Sequence, residues 1–280
     1  MKKIIYVFTI FAIILSVGCS IIEPNNDLNT FQPNRIGSIE PTVTTTVPEE
    51  THTPPTAQPS PEPTKPPPTM PPSRGMVALT FDDGPSPYTD KILDLLEQYD
   101  GRATFFVVGN RLDSYRDTLI RAVNLGNEIA NHSQTHVRLT SLSDNEVVSE
   151  IQSASAAIES ITGISLPIYR PPFGITDERI VNISTELGYG IVKWTLDPLD
   201  WRDRDADIIY YRIMSQVEDG SVILLHDIHQ TTAQAMERVI PSLIEQDFQL
   251  VTVSELLNHR NGGLEAGSIY GSYCAWKIWD

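Results

Sequence analysis

Five short runs in this chain combine residues that can bind a metal, move a proton or polarise a carbonyl group. They are Thr80-Phe81-Asp82-Asp83-Gly84-Pro85, His132-Ser133-Gln134-Thr135-His136, Arg170-Pro171-Pro172-Phe173-Gly174, Asp197-Pro198-Leu199-Asp200-Trp201 and Leu225-His226-Asp227. Taken singly, each has a structural reading, because Asp-Gly-Pro is a turn sequence and two His four apart can simply share a surface. Taken together, they suit one chemistry. An Asp and two His are good ligands for Zn2+ or a related divalent ion, and three protein ligands leave a coordination position open. Adjacent residues leaving a strand point in different directions, so one of Asp82 and Asp83 can bind metal while the other takes a proton from the attacking water. A His on a distant strand end can protonate the leaving group. The chemistry implied is metal-assisted hydrolysis of an acyl bond.

The elements that must position these runs are legible from residue 76 onward. Candidate strands are Met76 to Phe81, Ala103 to Val108, Glu128 to Asn131, Leu166 to Tyr169, Gly190 to Leu196, Ser221 to Leu225 and Leu250 to Val253. Between them, apolar residues recur at spacings of three and four, as in Val147, Val148, Ile151, Ala154 and Ile158. Ser143-Asp144 and Thr176-Asp177 read as helix starts. Strands alternating with helices imply a parallel sheet, either open and doubly wound or closed into a barrel. The five runs follow the first, third, fourth, fifth and sixth strands. In a parallel sheet all those ends lie on one side, where active sites of α/β folds are built.

The rest of the chain is of a different character. Lys2 and Lys3 precede an apolar run from Ile4 to Val17 that meets Gly18-Cys19, a pattern of export signal too short for a spanning helix. Residues 20–75 are rich in Pro and Thr and have no hydrophobic period, so they read as a disordered spacer. Its Pro-rich stretch, at about 3.1 Å per residue, could reach on the order of 100 Å. After the domain at 76–258 comes a tail, 259–280, that is Gly-rich and then aromatic, with Trp276 and Trp279. The 280 residues include 36 Asp and Glu against 20 Lys and Arg, a net charge of -16, which argues against nucleic acid as a partner.

The five runs, in this order and spacing, closely resemble the motifs of the polysaccharide deacetylases with the NodB homology domain, carbohydrate esterase family 4. The resemblance covers Met76 to about Leu257 and implies a distorted (β/α) barrel of about seven parallel strands. It implies that Asp83, His132 and His136 bind one divalent metal, Zn2+ foremost, with Co2+ or another transition metal as alternatives. Asp82 would be the general base, oriented by Arg170, and His226 the general acid, paired with Asp200. The backbone N–H of Phe173 would stabilise the oxyanion, and Trp201 and Leu225 would wall the acetyl pocket. The family usually has Tyr where this chain has Phe173.

Within the family, the stretch from Lys193 to Asp207 and the run His229-Gln230-Thr231-Thr232 look most like peptidoglycan N-acetylglucosamine deacetylases. Cys19 resembles the lipidated Cys of a bacterial lipoprotein, although Ser16 stands where Leu is favoured. A lipid there would tether the chain to the outer face of the cell membrane, with its domain in the wall. Cys274 would then be left without an intramolecular disulfide partner. The alternatives are deacetylation of chitin oligomers, exopolysaccharide or acetylxylan, or an inactive glycan-binding lipoprotein on the same fold.

Overall fold

The structure, a computed structural model, describes residues 75–271. Cys19, the Pro-rich spacer, Cys274, Trp276 and Trp279 lie outside the described residues. The strands are β1 (Gly75–Asp82), β2 (Thr104–Val107), β3 (Glu128–Asn131), β4 (Ile168–Tyr169), β5 (Gly190–Val192), β6 (Val222–His226), β7 (Phe248–Leu250) and β8 (Ile269–Tyr270). The helices are α1 (Thr89–Gln98), α2 (Arg116–Asn124), α3 (Asp144–Thr162), α4 (Glu178–Leu187), α5 (Asp200–Asp203), α6 (Ala206–Gln216), α7 (Gln230–Glu245) and α8 (Val253–Asn261). Every strand pairing is parallel, in the order β6-β1-β2-β3-β4-β5-β8, with β7 alongside the start of β1. The sheet curls back on itself. One parallel bridge, Leu196 to Ile223, joins the chain beyond β5 to β6 and draws the ring together, giving the distorted barrel.

A two-residue period sorts the strand side chains. Val77, Leu79 and Phe81 of β1, Phe105 and Val107 of β2, and Ile223 and Leu225 of β6 all join the cluster that the surrounding helices cover. The alternate residues face the opposite way, and Ala78, Phe106, Ala130, Ile168, Val192 and Val222 form a second cluster with Val253, Leu256 and Leu257 of α8. That apolar plug fills the lower interior. Higher up the same parity places Thr80 and Asp82 on β1 and Leu224 and His226 on β6.

Several helices begin as their sequences predict. Ser143 and Glu146 form a capping box at the start of α3, and Asp177 accepts from the Ile180 N–H at the start of α4. Two elements differ from expectation. The seventh strand lies earlier than Leu250 to Val253, because Thr252 and Glu255 form a second capping box and Val253 already begins α8. The fifth strand ends at Val192 instead of Leu196, since the chain leaves β4's side there and rejoins the barrel only at the Leu196 bridge. The ordered structure also continues past residue 258. In β8, Tyr270 O accepts from the Lys193 N–H at 2.7 Å, so part of the expected tail covers the β5 edge.

Candidate metal centre and catalytic cleft

Asp82 is the last residue of β1 and stays extended, whereas Asp83 turns into the left-handed region at φ 70. That change of backbone conformation aims two adjacent carboxylates at different partners. Ser133 (φ 66), His136 (φ 59), Phe173 (φ 61) and Leu199 (φ 61) share the same unfavourable conformation on the neighbouring loops. Such residues cost on the order of 1–3 kcal/mol each and persist only where their surroundings hold them. Here the restraint is visible. Asn131 accepts from the Ser133 N–H at 2.7 Å and donates to Ile151 O, and Ser133 Oγ accepts from the His136 N–H at 3.0 Å.

One oxygen of Asp83 lies 3.4 Å from His132 Nε2 and 3.0 Å from His136 Nε2. His132 Nδ1 is 2.7 Å from the Arg170 carbonyl, to which it can only donate, so the neutral ring presents a lone pair at Nε2. The facing Asp83 Oδ1 is buried and has no hydrogen-bond partner. Two lone-pair donors and an orphaned anionic oxygen within 4.8 Å of one another are a set that a cation completes. The donor set fits a divalent metal.

Asp82 faces Arg170 instead. Arg170 is fully buried, and its Nη1 donates to Asp82 Oδ1 at 2.6 Å and to Thr80 Oγ1 at 2.8 Å. Its Nε and Nη2 donate to the carbonyls of Val192 and Lys193, and its guanidinium carbon lies 4.1 Å from the Phe106 ring centroid. Asp82 is directly paired in register with His226 on β6. His226 Nδ1 is 2.8 Å from Asp200 Oδ1, and Asp200 also accepts from the backbone N–H groups of His226 and Trp201 and from the Thr232 hydroxyl. Burial works against a charged His226, but the hydrogen bond and charge of Asp200, with Asp82 and Asp83 adding, raise it to about 9.

Asp82, Asp83, His132, His136 and His226 line a cleft of about 370 Å³, which also touches Phe173, Gly174, Trp194, Asp197, Trp201 and Leu224, while Arg170 and Asp200 are buried behind it. Phe173 is 56% exposed and Trp201 46% exposed, so both stand at its mouth. Leu225 does not reach the cleft. It shares the parity of Ile223 and packs under the helices, and Leu224, with the parity of His226, takes the wall position instead. Asp197 of the fourth run and Trp194, neither of which the sequence assigns a role, also reach the cleft, at positions that depend on how the chain departs from β5. Asp227, the last residue of the fifth run, has a structural part. Its backbone carbonyl accepts from the Ser86 hydroxyl and its carboxyl from the Thr89 hydroxyl, so it ties the end of β6 to the loop that carries Asp83. Burial, with the Asp83 charge adding, pushes Asp227 up to about 7 despite the Thr89 hydrogen bond.

The chain's likeness to known proteins agrees with this geometry. A sequence profile of the polysaccharide deacetylase family matches residues 69–192. The peptidoglycan-N-acetylmuramic acid deacetylase PdaC of Bacillus subtilis is 45% identical over 183 residues, 65% of this chain and 38% of PdaC. The chain therefore spans about two fifths of that relative's length. A peptidoglycan-N-acetylglucosamine deacetylase of Bacillus cereus is 33% identical over 192 residues, 66% of this chain and 90% of its own length. The solved structure of PdaC superposes with a TM-score of 0.65 at 42% identity, over 68% of this chain and 93% of that one. A family 4 acetyl xylan esterase of Clostridium thermocellum, solved with a cobalt ion, gives 0.65 at 32% identity over 71% and 99%. Fold, motifs and likeness all lead to the same assignment, and the chain belongs to the polysaccharide deacetylase family.

Proposed function

We propose that this chain is a metal-dependent hydrolase that removes the N-acetyl group from N-acetylglucosamine residues of a polysaccharide, with cell-wall peptidoglycan as its substrate. The observation that carries the reading is the placement of Asp82 and His226 on paired positions of β1 and β6, above a three-ligand cluster in one cleft. A divalent ion held by Asp83, His132 and His136, with Zn2+ foremost and Co2+ the alternative, supplies Lewis-acid polarisation of the acetyl carbonyl and a more acidic water.

The chain's own residues then divide the proton transfers. Asp82, oriented by Arg170, takes a proton from water as it attacks the acetyl carbon. The Phe173 N–H stabilises the oxyanion, which needs only the backbone and so tolerates Phe in place of Tyr. His226, kept protonated by Asp200, donates to the departing sugar nitrogen, and the C–N bond breaks to give acetate and a free amine. Trp201 and Leu224 shape the site around the acetyl methyl. The test is acetate release from peptidoglycan, chitooligosaccharide and acetylxylan side by side, with the protein loaded with Zn2+ or Co2+. We expect acetate mainly from peptidoglycan, with new glucosamine amines. Acetate mainly from xylan would make the chain an O-acetyl esterase, and none from any substrate would overturn the enzymatic reading.

The acid role has a definite pH signature. A His226 raised above its ordinary 6.5 stays protonated through neutral pH, so turnover that needs its proton is lost only as pH rises towards about 9. The Asp200→Asn variant removes the anion that raises it, so the alkaline limb of the kcat profile should move down, towards or below 6.5. An unmoved limb would show that His226 does not set it.

The N-terminal features complete the proposal. Cys19 carries a lipid at the outer face of the cell membrane, and the Pro-rich spacer extends the domain into the wall, where substrate is locally concentrated. Membrane fractionation should then depend on Cys19. A Cys19→Ser chain that still sediments with the membrane would contradict this.

A further inference from the structure

Twelve arginines fall among the described residues, and nine of them form ion pairs with carboxylates. In a chain with 36 acidic residues to 20 basic ones, a carboxylate is seldom far away. The three arginines without one in the described structure are Arg111, Arg138 and Arg204. All three sit on segments that follow C-terminal strand ends, on the rim of the barrel that holds the cleft.

Two of them are fixed against residues of that cleft. The Arg138 guanidinium lies 5.7 Å from the ring centroid of the exposed Phe173, whose ring stands 4.8 Å from that of His136. Across the site, Arg204 donates through Nε to Trp201 O at 2.8 Å and places Nη1 2.9 Å from His229 Nδ1. Burial and then the Arg204 charge hold His229 below its ordinary value, so the neutral ring accepts that hydrogen bond. The His229 ring is 6.0 Å from that of His226. Arg138 is thus anchored on the metal-ligand side and Arg204 on the acid side. Each has been placed by a neutral partner, which leaves its charge uncompensated. Arg111 follows β2, where the Asn110 N–H donates to Gln134 O, so it borders the loop of His132 and His136.

A net charge of -16 opposes the approach of any anionic polymer. Positive side chains beside the mouth of the catalytic cleft offset that opposition where it matters, and guanidinium groups bind carboxylates bidentately. We propose that Arg138 and Arg204 form an anion-recognising rim, and that the glycan this cleft takes carries a carboxylate on or next to the acetylated sugar. This inference rests on the deacetylase reading and narrows its peptidoglycan substrate to strands whose muramic acid carries no stem peptide, because only there is the lactyl group a free carboxylate and not an amide.

The test uses calorimetric titration of the full chain with a peptide-free glycan of alternating N-acetylglucosamine and N-acetylmuramic acid, and with the same glycan after conversion of its carboxylates to carboxamides. The wild-type chain should bind the carboxylate form about tenfold more tightly at low salt, and about 0.5 M salt should erode that preference. The double variant Arg138→Gln, Arg204→Gln should bring the two affinities to within about twofold, while the distant Arg116→Gln should keep the wild-type ratio. A wild-type chain indifferent to the charge, or a double variant that keeps the preference, would overturn the proposal. Acetate release from chitotetraose is followed in parallel. Absence of acetate from chitotetraose and from the carboxylate-bearing glycan alike would remove the deacetylase reading, while the affinity ratio would still decide whether the rim reads charge.

Discussion

The guanidinium of Arg170 is the point on which this site depends. It is fully buried at the end of β4, yet it binds Asp82 and Thr80 of β1 and the carbonyls that close β5, and it lies over Phe106 of β2. Its backbone carries the contact further, because its N–H donates to Asn131 O on β3 and its carbonyl sets the tautomer of His132. A buried ion pair contributes little net stability, since the cost of desolvating two charges roughly offsets their attraction, whereas removing one partner costs about 3–5 kcal/mol. The pair is therefore better understood as a constraint on position than as a source of stability. It holds the base and orients a metal ligand through one residue, and a change at Arg170 would disturb both at once.

Around that constraint, neighbouring carboxylates acquire different work through backbone conformation and charge. Asp82 stays extended and points into the barrel, Asp83 turns left-handed towards two imidazoles, and Asp200 lies beneath His226 with its oxygens taken by four donors. Because Asp82 and His226 are register partners on adjacent strands, base and acid are about 5 Å apart at the backbone without any loop having to deliver them. The lower interior is apolar and plugged by α8, which leaves the polar residues gathered at the upper rim.

Much of this was readable beforehand, for specific reasons. The parallel strands alternate with helices, so the ends of five of them had to share a face, and their unusual polar residues announced a site there. What escaped the sequence reading depends on tertiary geometry. Leu224 and Leu225 are chemically identical, and only the register of β6 against β1 decides which one faces the cleft. Thr252 and Glu255 spell a helix start, but an adjacent β-rich run concealed it and moved the seventh strand. Trp194 and Asp197 reach the cleft because the chain leaves β5 early and returns at Leu196, a path set by contact with β6. The two-residue β8 carries too little pattern to be seen at all without its partner β5.

The central claim is that two adjacent carboxylates have separate tasks, Asp83 as metal ligand and Asp82 as base. The most direct measurement compares metal content with turnover in the Asp82→Asn and His132→Ala chains. Asn at 82 can still accept from Arg170, so that chain should retain metal at close to one ion per chain while losing about 100-fold or more in kcat. The His132→Ala chain should lose metal affinity itself. Equal metal loss in the two variants, or an Asp82→Asn chain with full turnover, would contradict the account.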